Sequence, residues 1–65
     1  MFVRVKDYLV NTEEITFVEK KYTTGGATIA VYLKTQSVNI YFYGKEEERD
    51  AAFDVLSATL LKVEA

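Results

Sequence analysis

The chain contains no cysteine, no histidine, no proline and no tryptophan. Each absence removes a class of protein. Without cysteine there is no disulfide to staple a small fold, and the reduced composition fits an intracellular compartment. Without histidine or cysteine, the commonest general base and the usual zinc ligands are missing. A structural zinc site is implausible, an enzyme is not expected, and no cofactor is expected. No apolar run approaches the ~20 residues a membrane span requires. The opening segment is broken by Arg4, Lys6 and Asp7, so it lacks the apolar core of a secretory signal. The expectation is a cytoplasmic protein without a membrane partner.

What remains is a short, apolar chain. Its 65 residues form one domain, 1–65, with no repeat, linker or low-complexity stretch. Half of them are hydrophobic (49%) and nine are aromatic, which excludes intrinsic disorder. A domain this small buries only about 60% of its unfolded surface, so an unstapled one gains from pairing with a second copy of itself. The net charge of −2 exerts little global pull on nucleic acid or anionic lipid. Its distribution is uneven: residues 1–43 carry five basic and four acidic groups, residues 44–65 three and six.

Period-two alternation predicts four strands, at about 2–6, 15–21, 27–34 and 38–43. Between the first two, Asn11-Thr12-Glu13-Glu14 has the chemistry of a capped single turn, with Leu9 and Val10 as apolar anchors. Gly25-Gly26 marks a hairpin, and Lys34-Thr35-Gln36-Ser37 a second tight turn. After Gly44 the period changes. Ala52, Phe53, Leu56, Leu60 and Val63 form the stripe of an amphipathic helix at about 45–63. Glu46, Glu47 and Glu48 suit the positive end of its dipole, and Lys62 suits the other. The fold class is α+β: a four-stranded antiparallel meander with one helix packed on one face, in the order ββββα.

The turns suggest a register. Leu33 opposite Val38 puts Val31 against Ile40 and Ile29 against Phe42; Phe17 opposite Val31 puts Ile15 against Leu33. All of these face the helix. The opposite face then presents Thr16, Val18 and Lys20, Thr28, Ala30 and Tyr32, and Asn39, Tyr41 and Tyr43, with Phe2, Arg4 and Lys6 added if the first strand joins the sheet. A solvated face is ordinarily richer in charge. An aromatic, sparsely charged one marks an interaction surface.

The expected function is therefore a small non-enzymatic interaction domain of unassigned process, self-associating as a homodimer through Tyr32, Tyr41, Tyr43, Val18, Thr16, Lys20 and Asn39. Another protein could take the same face. The alternative is single-stranded nucleic acid, with Arg4, Lys6 and Lys20 as phosphate contacts beside stacking rings. Val3-Arg4-Val5-Lys6-Asp7-Tyr8 is similar to the opening strand of small single-strand-binding transcriptional coactivators, as is the outline of four strands and a helix. That resemblance implies a single-stranded ligand.

Three further features have bland readings. The carboxylates Glu46, Glu47, Asp50 and Asp54 could hold a hard cation, but fit a solvated helix start. Gly25-Gly26 precedes a strand and lacks the lysine of a phosphate loop. Arg49 falls on the apolar stripe, as a cation at the sheet rim or as a side chain whose stem covers the core edge while its head finds a carboxylate.

Overall fold

The computed structural model describes the backbone of residues 1–64 and the side chains of residues 1–61. The expected positions of the Lys62 and Val63 side chains lie outside the described residues. Five strands and one helix follow in the order β1 (Phe2–Val5), β2 (Tyr8–Asn11), β3 (Ile15–Thr23), β4 (Gly26–Leu33), β5 (Ser37–Tyr43) and α1 (Glu46–Glu64). The class is α+β, with every strand pairing antiparallel. The strands form two sheets, a β1–β2 hairpin and a three-stranded sheet ordered β3-β4-β5, in place of one four-stranded meander.

The additional strand is the segment expected to be a connection. Lys6 adopts φ 57°, a left-handed conformation that closes the two-residue turn Lys6-Asp7 and sends Tyr8–Asn11 back along β1. Leu9 and Val10 are adjacent apolar residues, so this strand has no alternation to reveal it. The capped turn forms as a single 3-10 turn at Thr12–Glu14, with the Asn11 side chain accepting from the Glu13 N–H at 3.1 Å. Both the N–H and the hydroxyl of Thr12 donate to the Met1 carbonyl, at 2.8 and 2.9 Å.

Between β4 and β5 the register differs from expectation by two residues. Val31 faces Val38 and Ile29 faces Ile40, because the loop contracts to Lys34-Thr35 and the Leu33 N–H donates to the Gln36 carbonyl at 2.7 Å. A slide of two keeps every side chain on its face, so the inward set survives. On β3 the parity does change. Ile15 pairs with Leu33, but a bulge at Thr16 brings Phe17 opposite Tyr32 and Val18 opposite Val31.

The core lies on the inner face of the β3-β4-β5 sheet. Ala27, Ile29 and Val31 of β4 and Ile40 and Phe42 of β5 meet Val3 and Val5 of β1 and Leu56 of α1. Removing each of the larger side chains from water is worth roughly 1.5–3 kcal/mol, which stabilises a chain too small to have much margin. Ala52, Phe53 and Leu60 flank Leu56 on the helix and complete its packed side. One more group holds the helix down. Arg49 is 3% exposed, donates from Nε to Asp50 at 2.7 Å, and reaches the backbone carbonyls of Lys21 at 3.0 Å and Thr28 at 3.3 Å. Its second terminal nitrogen lies 3.6 Å from Glu46, and its plane sits 5.2 Å from the Tyr22 ring centroid.

Burial works against the Arg49 charge, but the hydrogen bond and charge of Asp50, with the Tyr22 hydroxyl, hold its pKa above the ordinary value. The Glu46 carboxylate, in turn, pushes the Tyr22 hydroxyl upward. The snorkelling arginine expected from the sequence is a buried clamp between helix and sheet.

Candidate interaction surface

The sheet face away from α1 is built by alternation on β4 and β5 and by the bulge on β3. From β4 it takes Thr28, Ala30 and Tyr32. From β5 it takes Ser37, Asn39 and Tyr41, which pair with them. After the bulge, β3 contributes Phe17, Glu19 and Lys21, the partners of Tyr32, Ala30 and Thr28. The Thr16 hydroxyl donates to the Tyr32 carbonyl at 3.0 Å, taking up an acceptor where the ladder is disturbed.

This placement corrects two expected members of the surface. Val18 points inward and packs against the core. Lys20 points to the helix side, where its ammonium lies 3.9 Å from Asp50 and 5.3 Å from the Phe53 ring centroid. Thr16 stays exposed, at the bulge. The residues that replace Val18 and Lys20 are Phe17, Glu19 and Lys21. The adjacent apolar pair Phe17-Val18 was the available signal, since two neighbours in one strand cannot both face the core and either parity buries one of them.

The aromatics gather at two ends of the face. At one end Phe17 and Tyr32 stack, with ring centroids 4.1 Å apart and planes 16° from parallel, and the Tyr32 hydroxyl donates to Glu19 at 3.0 Å. Phe17 is nevertheless 55% exposed. At the other end the rings of Tyr41 and Tyr43 lie 6.3 Å apart. Tyr41 covers Gly25, where any Cβ would meet its ring. Tyr43 has φ 55° and is 63% exposed. Asn39 is exposed between the two ends, beside the buried Ala30.

The basic residues are spread differently from expectation. Lys6 lies along β5, donating to the Tyr41 carbonyl at 2.6 Å and sitting 5.3 Å from the Tyr43 centroid. Arg4 is exposed on the hairpin and donates from Nε to the Lys6 carbonyl at 3.1 Å. Only Lys21 joins the outer face of β3, where it lies 3.9 Å from Glu19. The face is thus aromatic and near neutral.

Elsewhere, Asp50 serves Arg49 and Lys20, and Asp54 is exposed. Among the described residues no three histidine, cysteine or acidic side chains are grouped to hold a metal ion. Among the described residues no helix is long and apolar enough to cross a membrane. Comparisons with protein families, with curated proteins and with solved structures find no match to this chain.

Proposed function

We propose that the chain is a non-enzymatic interaction domain that self-associates as a homodimer, packing the outer faces of two β3-β4-β5 sheets together. The observation that carries this reading is the set of four rings on that side, Phe17, Tyr32, Tyr41 and Tyr43, with Phe17 and Tyr43 more than half exposed. Each large aromatic removed from water contributes roughly 1.5–3 kcal/mol, enough for a few to matter to a small domain. Face-to-face packing is favoured over edge pairing by how the edges are guarded. The β3 edge carries the Thr16 bulge and the charged run Glu19-Lys20-Lys21, and Lys6 occupies a carbonyl on the β5 edge. Bulges and lysines are the usual protection against strand addition.

Single-stranded nucleic acid is the weaker reading of the same surface. Its support is Lys6 beside Tyr41 and Tyr43. Against it, Lys20 turns away and Glu19 brings a carboxylate onto the face.

Light scattering after gel filtration tests the dimer on wild type, Phe17→Lys and Tyr41→Lys. The expected wild-type mass is twice the 7.4 kDa of the chain, and each variant should be a folded monomer by circular dichroism. A wild-type monomer at all concentrations, or dimers that survive both substitutions, would sink the proposal. In the monomer case, a labelled oligothymidylate titrated at two salt concentrations decides the second reading, since phosphate contacts weaken steeply with salt.

A further inference from the structure

The inner face of the sheet is not covered evenly. Towards the Lys34-Thr35 turn, a cavity of about 330 Å³ opens between the β1–β2 hairpin and the β4–β5 hairpin. Behind it lie Val31 and Ile40, both essentially unexposed, so the cavity backs onto the core without opening it to water. Leu33 and Val38 form one wall, and Phe2 and Leu9 form the other. Leu9 is 71% exposed and Phe2 64%, unusual for large apolar side chains that converge on one opening. The polar lining residues, Asn11, Glu14, Thr35 and Gln36, all lie in or beside the turns at its margin.

Apolar walls with a few polar groups at the mouth are the make-up of small-molecule sites, which begin at about 300 Å³. An apolar cavity of about 150 Å³ accommodates benzene, so this one has room for two fused rings or an alkyl chain of similar bulk. The margin selects the head group. Glu14 is the one charged residue lining the cavity, and its nearest cation, Lys34 Nζ, is 4.0 Å away with a side chain 62% exposed. That long, solvated pair leaves the carboxylate able to accept from a second donor.

We propose that this cavity binds a small amphiphile with an apolar body of about that size and a cationic amine head held by Glu14. The four residues that β4 and β5 give to the site, Val31, Leu33, Val38 and Ile40, face the helix side, so the proposal is independent of dimerisation through the outer face. Alkyl burial against Leu33, Val38 and Leu9 supplies the affinity, and the head group supplies orientation.

The test is a methyl-resolved NMR titration of the full chain at neutral pH with octylamine and, separately, octanoate, both below micelle formation. Octylamine should give saturable shifts at Leu9, Leu33 and Val38, with a dissociation constant on the order of 1 mM or below. Octanoate should bind about two- to fivefold more weakly, and Glu14→Gln should abolish that difference. Leu9→Lys, at an exposed site with little bearing on folding, should weaken octylamine binding while the β1 methyls keep their native shifts. Absence of saturation, shifts centred on Thr28 and Ala30 instead, or equal binding of the two probes to wild type overturns the proposal.

Discussion

Arg49→Ala is expected to lower stability by about 3–5 kcal/mol and to leave the chain largely unfolded at room temperature or slightly above. A 65-residue domain has only about 3–10 kcal/mol of net stability. The loss has two parts. Hydrogen bonds from a charged donor are worth about 1.5–3 kcal/mol each, and Arg49 makes one to Asp50 and two to backbone carbonyls of the sheet. Truncation also opens a gap beneath the first turns of α1, where the guanidinium packs against Tyr22. Asp50 and Glu46 are partly exposed and rehydrate, which limits the damage below that of a fully buried pair.

Arg49→Lys separates charge from geometry. A single ammonium cannot reach both carbonyls and the carboxylate as the planar fork does, so a loss of about 1.5–3 kcal/mol should remain. Urea denaturation followed by circular dichroism reads both values. A change under about 1 kcal/mol for alanine would mean that water replaces the clamp and that apolar packing alone holds the helix.

Gly26→Ala should be the most damaging of the glycine substitutions, at about 2–5 kcal/mol. Gly26 has φ 80°, where an L-residue is strained by about 1–2 kcal/mol. The added methyl would also run into the Tyr43 backbone, carbonyl oxygen and carbon alike. A flexible side chain could move aside, but a backbone anchored in the β4–β5 ladder cannot without disturbing the register that is already irregular there. Forced overpacking of this kind costs about 1–3 kcal/mol more. Gly44→Ala is the internal control. Nothing lies within 4 Å of a Cβ at that position, and its backbone is outside the left-handed region. It should be neutral or stabilising by up to about 1 kcal/mol, through a less flexible unfolded chain. Thermal unfolding separates the two, since 1 kcal/mol moves the midpoint of so small a domain by about 4–8 °C. Equal midpoints for Gly26→Ala and wild type would show that the turn relaxes freely.

Much of this architecture is legible in the chain. Val38, Ile40 and Phe42 alternate without interruption, so their face was determined whichever register formed; the two-residue slide against β4 changed partners and left facing intact. The Gly25-Gly26 turn and the helix after Gly44 follow from glycine chemistry and a change of period. The β2 strand was hidden because Leu9 and Val10 stand side by side, and because a lysine takes the left-handed turn position where glycine would have announced a hairpin. For the candidate surface, Tyr32, Tyr41, Tyr43 and Asn39 were readable from alternation, whereas Phe17, Glu19 and Lys21 were not.

Alternation and the change of period after Gly44 are enough to dictate an α+β chain with one apolar sheet face, one helix and an aromatic opposite face, because side-chain period is a local property of backbone geometry. Assembly of the strands chose which of Phe17 and Val18 enters the core, since the bulge at Thr16 lets Val18 meet Val31 on the helix side while Phe17 gains a stack on Tyr32. It alone decided that Arg49 bridges helix and sheet, because carbonyls of Lys21 and Thr28, 28 and 21 residues away, become its partners only when the strands are assembled. And it alone opened the cavity under Leu9, where two hairpins distant in sequence meet without filling the space between them.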